Sequence, residues 1–323
     1  LTLGAGAVIS ANSAITDGGG IYVSAGQFSA LHLDGGSIVS NSATGNGGGV
    51  FITGTTSIFT YTSGTLAENV ATGSGGGSYL DSGTLAWSDG IKIERNQAGQ
   101  KGGGLYSLLP ASLGAIDFVA NRANLGGGAY IADTATISGT DFLSNTAGSS
   151  GGGIYVNNGT AGAVMLTNSA FLTNSATSSG GGLYLSSASA LTLTNSSFVS
   201  NTSNSVGGGI YLDALNGSLS LSNSRFESNR ATSPGGGIHI SGGSGGSVTL
   251  NSSPFLSNTS TSNGGGIYLS SAATDVNLSD STFVNNYAGA PGGGLYLSSA
   301  SAMTLTNSPF VSNTSNSVGG GIY

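Results

Sequence analysis

The chain has 323 residues, a net charge of −7 with only six Lys plus Arg, and no cysteine. That balance excludes a basic nucleic-acid footprint, argues against anionic membrane surfaces, and leaves no disulfide framework or thiolate metal site. Charged residues are 6% and hydrophobic residues 37% of the chain, yet no run of about 18 apolar residues offers a transmembrane helix.

From the N-terminus onward, two motifs repeat in phase. Glycine triplets begin at Gly18, Gly47, Gly75, Gly102, Gly126, Gly151, Gly180, Gly207, Gly235, Gly264, Gly292 and Gly319, and a mostly aliphatic residue and then a ring follow each. Eleven intervals span 301 residues, a period of about 27 that announces stacked units rather than one globular core. Ahead of each triplet runs an apolar-x-x-Asn motif. It is Ile9/Asn12, Ile38/Asn41, Leu66/Asn69 and Ile93/Asn96 in the first four units, then Phe118/Asn121 through Phe310/Asn313 in the other eight. The Asn stands six residues before its triplet everywhere except Asn121, which stands five before Gly126. A polar linker of the same composition would not hold apolar residues in fixed phase with glycine.

In the unit that starts at Gly207, the stretches Gly207-Gly-Gly-Ile-Tyr-Leu212, Gly217-Ser-Leu-Ser-Leu221 and Ser224-Arg-Phe-Glu-Ser-Asn229 are short, alternating and separated by turn residues, and they read as three strands with turns. Three short strands per period fit one turn of an all-β parallel β-helix. The expected solenoid has about twelve coils of about 27 residues and occupies residues 1–323 as a single domain. Alternation places Ile210, Leu212, Leu219, Leu221 and the Phe column inside. The glycine triplet is expected at a corner where backbones approach too closely for Cβ atoms or where φ is positive. Asn121, Asn145, Asn174, Asn201, Asn229, Asn258, Asn286 and Asn313 are expected to stack as a structural ladder, tolerating left-handed backbone angles. A second, partial column is Asn168, Asn195, Asn223 and Asn307, with Asp280 as a variant. The chain opens in mid-unit on Leu1-Thr2-Leu3 and closes partway through another on Ile322-Tyr323, so it is expected to be an uncapped segment of a longer repeat protein.

With both motifs in place, the chain resembles the passenger domains of polymorphic outer-membrane proteins, autotransporter adhesins with repeated GGA[I/L/V] and FxxN tetrapeptides. The FxxN positions match from Phe118 to Phe310, whereas the glycine motif here is Gly-Gly-Gly-[Ile/Leu], as at Gly151–Ile154 and Gly292–Leu295. It is similar, too, to the wider class of right-handed parallel β-helix surface proteins of bacteria. The resemblance implies right-handedness, export to the bacterial outer surface or beyond it, a C-terminal β-barrel and adhesion. Periodicity alone would allow either hand.

One column follows the aliphatic residue after each triplet: Tyr22, Phe51, Tyr79, Tyr106, Tyr130, Tyr155, Tyr184, Tyr211, His239, Tyr268, Tyr296 and Tyr323. By alternation it faces away from the interior. It either stacks on itself and shields the sheet, or forms a binding or assembly face for a host or neighbouring-cell surface, a glycan, or other copies of the chain. A second candidate is enzymatic. Register through the Phe column puts Lys92, Asp117 and Asp141 one above another, with Glu94 on the same face and Glu68 beside Arg95. Polysaccharide-active β-helices use grouped acids and a base in this way, but cross-strand charge pairing selects the same neighbours. No cofactor and no metal site are expected, since the only histidines, His32 and His239, lie about seven coils apart. Leu183–Tyr211 and Leu295–Tyr323 differ only at Leu191/Met303 and Ser197/Pro309. Duplication of a four-coil block is easily tolerated when function scales with length, as in adhesion or a structural fibre or sheath.

Overall fold

The computed structural model describes residues 1–24, 30–54, 58–87, 90–157, 162–187, 190–243, 246–270 and 273–323. Among them there is no helix. The chain is a right-handed parallel β-solenoid of about ten turns with about 28 residues per turn. It divides into two compact units, residues 1–148 with 152–157, and residues 149–151 with 158–323.

In the second unit each coil is built as its alternation dictates. The coil of Gly207 contributes Ile210–Asp213, Leu219–Ser222 and Arg225–Glu227, each paired in parallel with its counterparts one coil before and after. Ile210, Leu212, Leu219, Leu221 and Phe226 are at most 1% exposed. Each fully buried side chain of this size is worth about 1.5–3 kcal/mol, so the core grows by a constant increment with every coil. The phenylalanines stack face to face from Phe171 to Phe310, with centroids 4.4–5.0 Å apart and rings within 5° of parallel.

A fourth ladder adds to the three expected strands. It consists of two-residue strands just after each Asn, such as Arg230–Ala231 between Thr202–Ser203 and Thr259–Ser260. Two residues are too few to show alternation, and so the sequence conceals it.

The first unit obeys the same plan with a different second strand. Its early coils fuse the second and third strands into ten-residue strands, Ala30–Val39 and Ile58–Ala67. Thr84–Trp87 and Ile91–Glu94 both pair with Ile58–Ala67, and a separate second-strand ladder begins at Ala111–Gly114. Trp87 meets Phe59 and Tyr61 edge-on, at 5.6 and 5.8 Å.

The corners explain the two motifs. Gly207 has φ +65°, and a Cβ on Gly209 would lie 2.6 Å from the Gly237 carbonyl oxygen. A Cβ on Gly208 would overlap the Gly236 carbonyl. Both expected reasons for the triplet therefore operate together.

Asn229 Nδ2 donates to Phe198 O at 2.8 Å and to Asn258 Oδ1 at 3.0 Å, and its Oδ1 accepts from the backbone N–H and side chain of Asn201, both at 3.0 Å. All four bonds of the amide are made, at 0% exposure. The left-handed angle, however, belongs to the residue before each Asn rather than to the ladder Asn itself. Ser200, Ser228 and Ser257 have φ of 56°, 55° and 53°. The turn is made one residue early so that each Asn can send its amide inward. The second column does take left-handed angles, with Asn168, Asn195, Asn223, Asp280 and Asn307 at φ 47–51°.

Candidate functional surface

The ring column stands on the outer face of the strands that follow the triplets. In the first unit, Tyr22, Phe51, Tyr79, Tyr106, Tyr130 and Tyr155 are direct register partners. Successive centroids are 4.6–5.3 Å apart with planes within 18°. Tyr106 lies between Tyr79 and Tyr130 and is 7% exposed, and Tyr130 is 3% exposed. Both faces of such a ring are already covered, so a sugar has no room to stack there. What the column offers outward is ring edges and hydroxyls. Burial and then the neighbouring rings push the Tyr106 phenol well above its ordinary range, which keeps it a neutral donor.

In the second unit the stack is regular between Tyr268, Tyr296 and Tyr323 but breaks around His239. Tyr184 and Tyr211 are tilted by 50°, and the His239 ring meets Tyr211 and Tyr268 at 65° and 49°. A polar network fills the break. Tyr184 donates to Asp213 Oδ2 at 3.1 Å, Tyr211 shares a 2.8 Å hydrogen bond with Ser241, and Ser241 reaches Asp213 at 3.4 Å. In the first unit Asn157 likewise donates to the Tyr130 hydroxyl at 3.2 Å, and Lys101 lies over the Tyr130 ring at 4.8 Å. Hydroxyls of this column are thus turned toward the outward polar residue two positions beyond the ring of the next coil.

The charged face lies in the first unit. Register aligns Lys92 with Asp117 and Asp117 with Asp141, as the Phe column predicts. Lys92 makes its ion pair with Glu94 of its own strand, at 3.9 Å, while Arg95 bridges Glu94 at 2.8 Å and Glu68 of the preceding coil at 3.1 Å. Lys92, Arg95 and Glu68 are about half-exposed and Glu94 is 16% exposed, so each pair keeps at least one partner in water and is worth little individually. Among the described residues there is no group of three or more His, Cys, Asp or Glu that could hold a metal ion.

A buried column that the sequence reading missed runs through the second unit. Ser196, Ser224, Ser253 and Ser281 each accept a hydrogen bond from the backbone N–H of the equivalent serine one coil earlier, at 3.1–3.3 Å, and donate to the carbonyl two residues before themselves. The signal was present in Asn-Ser-x-Phe at Asn195–Phe198 and Asn223–Phe226. In the first unit the same place holds other residues, Gly64, Ile91, Ile116 and Thr140 among them, and serine is common enough throughout to hide a column.

Among the described residues no helix is long and apolar enough to cross a membrane. A family model described as a right handed beta helix region matches residues 116–260. A model of the Chlamydia polymorphic membrane protein repeat matches residues 255–270, the stretch that carries Phe255–Asn258 and Gly264–Ile267. No curated protein and no solved structure matches the chain. The chain is therefore similar to right-handed β-helix proteins over nearly half its length and to a surface-protein repeat over one coil's two motifs.

Proposed function

We propose that the chain is a non-catalytic part of a secreted or bacterial surface protein, acting in adhesion or as an element of a fibre or sheath. The observation that carries this reading is the polymorphic membrane protein repeat at residues 255–270. The chemistry supports it. The buried Asn and Ser columns use their hydrogen bonds within their own and adjoining coils, and the ring faces are covered by one another. The outward features that recur with every coil are ring edges, hydroxyls and small polar side chains, which suit multivalent contact with a cell surface, a glycan or another copy of the chain better than one precise reaction centre.

The test uses beads coated with the 323-residue chain, scored for retention on epithelial monolayers and for mutual aggregation. Either retention or aggregation above uncoated beads is expected. Replacing Tyr268, Tyr296 and Tyr155 together by Ser, with the fold verified by circular dichroism, should reduce it at least severalfold. The aligned Lys92, Asp117 and Asp141 keep the polysaccharide-active alternative concrete. Release of new reducing ends or unsaturated products from a polysaccharide panel, abolished by replacing those three with Ala, would contradict the non-catalytic reading.

A further inference from the structure

The one exception to the six-residue spacing between Asn and glycine triplet, Asn121 to Gly126, has a structural counterpart. Between the inward alanine of the two-residue strand and the glycine triplet, the corner holds three residues in the neighbouring coils, Gly99-Gln100-Lys101 and Gly148-Ser149-Ser150, but only Asn124-Leu125 in the coil of Asn121. At this shortened corner the first unit has a groove of about 300 Å³, lined by Gln97, Gly99, Arg122, Asn124 and Gly148, among others. Arg122 is aligned with Gln97 of the preceding coil, and both side chains point outward at the groove. Lys92, Arg95 and Arg225 are all engaged with carboxylates. Among the described residues the side chains of Gln97, Arg122 and Asn124 have no hydrogen-bond or ion-pair partner. A missing residue has thus left a notch with one uncommitted guanidinium between two uncommitted amides.

We propose that this notch binds a carboxylate-bearing sugar residue, of the uronic acid class. A guanidinium presents paired N–H donors that match the two oxygens of one carboxylate. Each amide both donates and accepts, and so does each sugar hydroxyl. The volume lies at the lower end of ligand pockets, about 300–1,000 Å³, which suits one ring rather than a chain. A chain charge of −7 with one cation in the groove disfavours a polyacidic peptide. Because the site is open to water, the expected affinity is on the order of millimolar. The proposal gives the adhesive reading a ligand class, and it is scored by direct binding, so its failure leaves bead adherence to be judged separately.

The experiment is ligand-detected NMR titration of the 323-residue chain with glucuronate, glucose and triglutamate. Saturable binding of glucuronate alone is expected. Arg122→Gln should weaken it at least tenfold, and so should insertion of one Ser between Asn124 and Leu125, which restores the common corner length. Arg230→Gln should leave it unchanged, because Arg230 holds the same place in a coil whose corner, Thr232-Ser233-Pro234, has the usual three residues. Undiminished binding by Arg122→Gln would overturn the proposal. Equal binding of glucose or triglutamate, or no saturable glucuronate binding up to tens of millimolar, would do the same.

Discussion

At the coil of Phe226, two adjacent residues have opposite expected effects. Asn229 is fully buried and makes four hydrogen bonds. Asn229→Ala removes the side-chain donor to the Phe198 carbonyl and the acceptor of two Asn201 N–H groups, leaves Asn258 Oδ1 with only the backbone donor of residue 229, and should destabilise the second unit by about 2–3 kcal/mol in urea unfolding. Ser228 is exposed and held at φ 55°. Ser228→Gly relieves a left-handed strain of about 1–2 kcal/mol, part of which the greater freedom of unfolded Gly offsets, so a gain of about 0.5 kcal/mol is expected. A loss on Ser228→Gly would place the strain elsewhere. His239 supplies a third residue-scale prediction. Burial lowers its pKa to about 4, against the raising effects of the Pro234 carbonyl and then Asp213. The unfolded chain takes up a proton near pH 6.5 that the folded chain refuses until about pH 4, so stability should fall as pH drops through that interval and level off below it. His239→Tyr, the residue of the neighbouring coils, should remove this slope in urea midpoints measured against pH. An unchanged slope would assign it to other groups.

Element-level structure was legible wherever a pattern recurs in every coil. Phase between the triplets and the FxxN motif located the outward rings, the inward aliphatics and the register of Lys92, Asp117 and Asp141. Three features escaped for physical reasons. The Arg230–Ala231 ladder is too short to alternate, the serine column gives way to other residues in the first unit, Ile116 and Thr140 among them, and the left-handed residue before each Asn is chemically varied, including Ala120, Ser144 and Thr173. Asn tolerates left-handed angles well, which drew attention one position too far along the chain. The triplet makes the sharpest prediction at this scale. Gly208→Ala places a methyl group against the Gly236 carbonyl and 2.6 Å from the Arg230 carbonyl carbon, where only backbone could yield. That corner should lose its hydrogen-exchange protection, whereas an alanine at exposed Ser228 should not have that effect.

For the molecule as a whole, each coil meets only its neighbours, and a defect should therefore stay local. In Asn229→Ala, hydrogen exchange should quicken between about Asn201 and Asn258 while the first unit keeps its native rates; uniform loss of protection would contradict nearest-neighbour stability. The same logic explains why a near-identical block such as Leu183–Tyr211 and Leu295–Tyr323 can coexist in one chain: these coils present similar outward strips, and lengthening adds strips without disturbing distant coils. Such a design requires that the strips be displayed where partners can reach them. Immunogold labelling of intact, unpermeabilised cells that make the protein, using antibodies raised against this chain, tests that display most directly. Gold at the cell exterior, lost after brief protease treatment of the intact cells, is the predicted result; label that appears only after permeabilisation would contradict a surface role.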